Sequence, residues 1–183
     1  MYGDARRREA RGMNESNQWW QTETNDSVAT KRELWQPIAD KVGGFDLDPA
    51  AGCEPTQIGD ERYTEADDGL AQPWYGTVWL NPPFSAKTKW YKRLYDQYNN
   101  GDVERAVALA TVDPSAQWFH TWFSTADLLC FLEGRDWYLG EGDSPTFSTQ
   151  VGVWNPTDEL ISHLHTLGTV VEPKDDNRQQ TLL

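Results

Sequence analysis

Val78-Trp79-Leu80-Asn81-Pro82-Pro83-Phe84 joins a short apolar run to a pair of prolines, and this junction decides how the chain reads. Three apolar residues ahead of a turn read as a buried strand. A loop at the carboxyl end of a strand is where α/β sheets bind ligands. Two consecutive prolines fix φ twice and push Asn81 into an extended conformation. The turn is therefore stiff. It presents one amide side chain, backbone carbonyls whose successors cannot donate, and one aromatic face. Those parts suit a planar substrate carrying an exocyclic amino group. The Asn81 side-chain oxygen and the Pro82 carbonyl are both acceptors. If both accept from the amine, its nitrogen shifts towards tetrahedral geometry and its lone pair points out of the ring plane, at an electrophile. Phe84 would stack on the base, worth ~1–3 kcal/mol. Holding the amine in line with a methyl donor contributes up to roughly 7–11 kcal/mol.

Upstream, Phe45-Asp46-Leu47-Asp48 reads as another short strand, followed by the small-residue turn Pro49-Ala50-Ala51-Gly52. Such a turn lets a ligand approach the backbone. No full Gly-x-Gly-x-x-Gly occurs, so nothing argues for a dinucleotide. Before this strand, Thr24-Asn25-Asp26-Ser27 offers several N-caps, and a helix is expected from Val28 to about Lys41, stopped by Gly43-Gly44. Residues 53–76 read as turn-rich. Downstream, a helix is expected from Lys87 to Tyr98, ended by Asn99-Asn100-Gly101, strands over Arg105–Thr111 and Asp127–Leu132, and a helix over Ser115–Phe123. Ser148–Trp154 alternates as a closing strand, and His163 and His165 fall on a strand face or loop with no third ligand, so no metal site is read.

The order of these pieces resembles the phage-type DNA N6-adenine methyltransferase family, sometimes called phage Dam. The resemblance rests on Phe45–Gly52, Arg62-Tyr63-Thr64, Asp67-Asp68-Gly69-Leu70, Trp74, Gly76, Val78–Phe84, Trp118-Phe119-His120 and Phe131–Arg135, and covers roughly Trp19 to Trp154. It implies a Rossmann-like S-adenosylmethionine-dependent methyltransferase fold: α/β, a mostly parallel, doubly wound sheet. It implies S-adenosylmethionine as cofactor and DNA as partner, with Asn81, Pro82, Pro83 and Phe84 as the catalytic tetrapeptide. Cofactor contacts would come from Thr24, Asp46, Asp48, Pro49, Ala50 and Asp68, with Asp68 favoured over Asp67 for the adenine amino group. Where the family has two prolines after the threonine, this chain has Asn25-Asp26. Asp113, Trp118 and Arg135 would border the site, although core packing is the better reading of Trp118 and Phe119. No carboxylate for the cofactor ribose stands out. Other NH2 acceptors fit the same tetrapeptide: cytosine N4, RNA guanine N2 or a protein glutamine. A non-catalytic acidic DNA mimic is the alternative from another class.

Length and charge bound these readings. At 183 residues the chain is large enough for one domain with a real core. It divides into an arginine-containing arm (1–18), a methyltransferase domain (19–170) and a tail (171–183). No run of eighteen apolar residues suggests a membrane span. The charged start does not read as a secretory signal, and Cys53 and Cys130 do not suggest a disulfide framework, so a cytoplasmic location is the default. Oligomeric state is not legible. The net charge of −13 opposes the usual basic footprint of a DNA-binding protein. Two readings compete: a host with a salty cytoplasm, where charges are screened within ~3 Å at 1 M, or an acidic protein that does not bind DNA. Lys87, Lys89, Lys92 and Arg93 form the one dense basic patch outside the arm. With Arg135, they are the candidates for phosphate contact, Lys87, Lys89 and Arg93 foremost.

Overall fold

The computed structural model describes residues 29–52, 56–138 and 147–173. In chain order these form α1 (Arg32–Val42), β1 (Phe45–Asp48), β2 (Gly59–Arg62), β3 (Gly76–Leu80), α2 (Lys87–Asn100), β4 (Val103–Thr111), α3 (Gln117–Thr121), β5 (Leu128–Leu132), β6 (Thr149–Trp154), α4 (Asp158–Leu167) and β7 (Gly168–Val171). Single 3-10 turns cover Glu65–Asp67 and Phe123–Thr125. The strands form one sheet in the order β2-β1-β3-β4-β6-β5-β7.

The period-two alternation of β3 and β4 splits the interior into two layers. Trp79, Val107 and Leu109 face α1 and α4, together with Val151 and Val153. Val78, Leu80, Ala106, Ala108 and Ala110 face α2 and α3. On that second face β4 contributes, beyond Val103 at its start, only alanines, which leaves room for Trp90, Tyr91, Trp118 and Phe123. Gly152 of β6 extends the same economy: a Cβ there would stand 2.8 Å from the Phe123 ring. Each large side chain sealed in this way contributes about 1.5–3 kcal/mol. Trp118 is a core residue, as its sequence context suggests, and is 6% exposed.

Helices form where apolar residues recur on one stripe, and they stop at glycines. In α1, Leu34, Trp35, Ile38, Ala39 and Val42 are buried, and Gly43 closes the helix at φ 84°. In α2, Trp90, Tyr91, Leu94 and Gln97 are buried, and Gly101 closes it at φ 82°. Positive φ is cheap for glycine alone, so both stops are written into the sequence.

The sheet is less parallel than expected. β1 pairs in parallel with β2 and β3, and β3 with β4, but β6 runs antiparallel to both β4 and β5, and β7 antiparallel to β5. β6 is thus no closing edge strand: it inserts between β4 and β5 and is buried along its whole length. The architecture is mixed α/β, with its parallel pairs confined to the β2–β4 half.

Other expectations need correction. The first helix starts at Arg32 and not Val28, after a lone bridge between Thr30 and Tyr138. The helix expected over Ser115–Phe123 shortens to Gln117–Thr121. The stretch read as turns hides edge strand β2, and His163 and His165 lie on α4. The polar Gly-Asp-Glu-Arg of β2 carries no apolar alternation, so nothing local announces it as a strand. Among the described residues, no helix is long and apolar enough to cross a membrane, and no cluster of His, Cys, Asp and Glu could hold a metal ion. The arginine-containing arm, Cys53 and most of the C-terminal tail lie outside the described residues.

Candidate active site

Strand order reverses at β1: β2 lies to one side, β3 and then β4 to the other. Loops leaving the carboxyl ends of strands on either side of such a point diverge and leave a crevice. A cavity of about 490 Å³ lies there, lined by β1 and its turn, the segment after β2, and the loop after β3.

Asp48 ends β1 and lines the cavity. It is 5% exposed, and burial pushes its carboxyl up to about 7. Two weaker influences pull the other way: the Ala50 N–H, which it accepts at 3.2 Å, and the Arg62 guanidinium. Pro49, Ala50, Ala51 and Gly52 continue the wall. Two backbone bonds tie this turn to the end of β2: Tyr63 N donates to Asp48 O at 2.9 Å and Ala51 N to Tyr63 O at 3.0 Å. Gly69 presses directly on the turn, since a Cβ there would stand 2.0 Å from Pro49 O.

The acidic run after β2 divides its labour. Asp67 accepts from Thr64 N at 2.8 Å and from Thr64 Oγ1 at 2.7 Å, closing the 3-10 turn as its cap. Those two bonds hold its carboxyl below the usual range. Asp67 is absent from the lining, whereas Glu65 and Asp68 face the cavity, Asp68 at a positive φ of 51°. Among the described residues, no lysine, arginine or histidine lines it. A pocket that sets three carboxylates among small, hydroxyl and aromatic residues suits a cationic ligand with amino and hydroxyl groups. Its carboxylates oppose a nucleotide phosphate, which is held best by positively charged donors.

Asp46, expected on the cofactor, lies elsewhere. It sits level with the start of β3, where it accepts from Thr77 N at 2.7 Å and leaves no room for a side chain at Gly76. Alternation along β1 sends successive side chains to opposite faces, so Asp46 and Asp48 differ through their depth along the strand: one staples β1 to β3, the other reaches the carboxyl-end crevice.

The loop after β3 forms the opposite wall. Asn81, Pro83, Ser85 and Ala86 line the cavity, and Pro82 is buried. Asn81 Nδ2 donates to Thr30 Oγ1 at 3.1 Å, which turns the amide oxygen the other way. Phe84 is half-buried and outside the cavity lining. It stands edge-on to Tyr138 and Phe147, with centroids 5.9 and 5.0 Å away. Thr24 lies outside the described residues; the threonine that meets the cavity from the start of α1 is Thr30.

The basic patch on α2 is mostly committed to the fold. Lys87 Nζ donates to Thr111 Oγ1 at 3.1 Å and sits 5.1 Å from the Trp118 ring centroid. Arg93 donates to Gln72 O at 3.0 Å, and Lys92 pairs with Asp96 one turn on at 2.6 Å. Lys89 and Arg135 are exposed. Asp113 accepts from Ser115 Oγ at 2.8 Å ahead of α3, a turn contact.

Sequence reasoning does not single out Thr30 or Glu65. Glu65 looks like one more acid in an acidic stretch, and Thr30 meets Asn81 from 51 residues away. A threonine just ahead of the helix is the one signal available for Thr30, and Thr24 answers to it equally well.

A family model described as DNA N-6-adenine-methyltransferase (Dam) matches residues 15–150. A protein of Escherichia phage T1 named DNA N-6-adenine-methyltransferase is 31% identical over 106 residues. That alignment covers 54% of this chain and 42% of the phage protein, so the match spans less than half the relative's length.

Proposed function

The chain belongs to the DNA N-6-adenine-methyltransferase (Dam) family, and on that premise we propose that it methylates N6 of adenine in DNA from S-adenosylmethionine, on a methyltransferase-type α/β fold. The observation that carries the reading is the acidic cavity at the strand-order reversal with Asn81 on its wall. S-adenosylmethionine carries an ammonium, a carboxylate, a sulfonium, a ribose and an adenine amine, with a net positive charge and no phosphate. Among the described residues, a wall of Asp48, Glu65 and Asp68 with no basic side chain fits that net positive charge. Asp48, with Pro49 and Ala50 beside it, takes the amino-acid end; Asp68 accepts from the adenine amine.

A target adenine reaches Asn81 only when turned out of the stack. The Asn81 oxygen and the Pro82 carbonyl accept its two amine hydrogens, raising the lone pair out of the ring plane. Pro83 keeps the carbonyls fixed, and the exposed part of Phe84 meets the base. When bound, S-adenosylmethionine would supply an electrophilic methyl to the oriented amine nitrogen, with the C–S electrons staying on its sulfur and the nitrogen's surplus proton leaving to water. Lys89 and Arg135 remain the exposed cations for phosphate contact; Lys87 and Arg93 contribute chiefly by holding α2.

Calorimetry with S-adenosylmethionine, and with ATP as the phosphate-bearing comparison, tests the cavity. Binding of the first alone supports the reading, and preference for ATP refutes it. Labelled methyl offered to DNA, RNA and protein tests the acceptor: label in RNA or protein, and not in DNA, would replace adenine N6 by another NH2 group.

A further inference from the structure

Proline stiffens the backbone of the Asn81–Phe84 loop, but it does not fix the two side chains that matter. Those are held from outside. Thr30, 4% exposed, takes Asn81 Nδ2 on its hydroxyl oxygen at 3.1 Å. Thr30 is also the residue that bridges Tyr138 in antiparallel fashion. The Tyr138 ring, 4% exposed, stands edge-on to Phe84 and to Phe147. One bridge between two distant segments therefore supports both ends of the loop, Asn81 through Thr30 and Phe84 through Tyr138. The neighbouring residues reinforce it: Lys31 N donates to Trp137 O at 3.0 Å, and Lys31 Nζ pairs with Asp136 at 2.5 Å.

We infer that Thr30 is a positioning residue for methyl transfer, its hydroxyl holding the Asn81 amide with the oxygen presented to the substrate amine; this rests on the reading of Asn81 as the group that orients that amine. An amide has a donating and an accepting end. Turned about, Asn81 would set its own NH2 against the substrate NH2, donor against donor. Losing the Thr30 acceptor removes this anchor from Nδ2 and weakens the preference for the productive orientation. Groups that orient the residues touching a reacting centre are commonly worth about 10–100-fold in activity.

The test uses the full chain and single-turnover methyl transfer to DNA, with S-adenosylmethionine affinity measured in parallel. Thr30→Val keeps the branched shape and removes the acceptor; Thr30→Ser keeps the acceptor and loses a methyl. The expected result is a rate lower by about 10- to 100-fold for Thr30→Val with cofactor Kd within about twofold, and recovery of most of that loss in Thr30→Ser. Thr30→Ala, which relieves any crowding from the added methyl, should follow Thr30→Val. An unchanged rate in Thr30→Val and Thr30→Ala overturns the inference. So does a loss of cofactor affinity matching the loss of rate, which would make Thr30 a cofactor contact. Asn81→Ala in the same series separates the two levels: if it stays active, the reading of the loop fails; if it is inactive while Thr30→Val is fully active, only the positioning role fails.

Discussion

The two walls of the cavity are made differently. The β1 side is local: Asp48 to Gly52, fastened by backbone bonds to Tyr63 and pressed by Gly69 within the same stretch of chain. The β3 side is assembled from afar, with Thr30 holding Asn81 and Tyr138 and Phe147 packed on Phe84. The first wall has the parts of a shape-bearing cradle, in which backbone and small residues set the contour. The second has the parts of an orienting device, in which single side chains set an angle. Damage to the first should appear as lost affinity and lost stability, and damage to the second as lost turnover with affinity intact.

The largest expected effect breaks the orienting wall. Asn81→Ala should lower the methyl-transfer rate by about 10²–10³ or more, the scale for removing a group aimed at the reacting centre. S-adenosylmethionine affinity should stay within a few-fold. A parallel loss of affinity would erase the distinction between the walls. Next comes the cradle. Gly69→Ala places a methyl 2.0 Å from Pro49 O, a backbone atom that cannot swing aside. Overpacking of this kind costs about 1–3 kcal/mol, so Tm should fall by roughly 2–12 °C, with weaker cofactor binding; an unchanged Tm and Kd would show that the turn yields freely.

A third test is pH. Asp48 has a carboxyl raised to about 7 by burial. If its carboxylate receives the cofactor's ammonium, affinity should drop about tenfold between pH 8 and pH 6, and Asp48→Asn should bind weakly with no such slope. Folding stability of the empty protein moves the other way. The folded state holds a proton that the unfolded chain, at an ordinary 3.8, has already released. Stability is therefore greatest below the unfolded value and is lost as pH rises towards 7, by a few kcal/mol at most. The smallest effect expected is at Lys92→Ala, which removes an exposed pair with Asp96. Such pairs are worth about 0.2–1 kcal/mol, and neither affinity nor turnover should change measurably.

The same contrast explains what the sequence disclosed. β1 matched its expected bounds at Phe45–Asp48, and the stops at Gly43 and Gly101 were legible because one residue type suits positive φ. Asp48 and Asp68 could be proposed for the cradle because its residues lie close together in the chain. Asp46 misled, since composition gives no measure of depth along a strand, and its role as a staple depends on Thr77 across the sheet. The antiparallel insertion of β6 was hidden because a buried strand reads alike in either direction. Thr30 and Tyr138 were beyond reach: their meeting is a tertiary event with no local trace. The basic residues of α2 looked like a phosphate patch because the linear sequence does not show Thr111 and Gln72 waiting to receive Lys87 and Arg93.

The central claim is that this acidic chain transfers a methyl group to adenine N6. Its most direct test is nucleoside analysis of unmethylated DNA after incubation with the chain and methyl-labelled S-adenosylmethionine, at low and at multimolar KCl. The account predicts N6-methyladenine, and its appearance only at high salt would tie the net charge of −13 to a salty host. Label in another nucleoside, or none in DNA at either salt while the cofactor still binds, would contradict it.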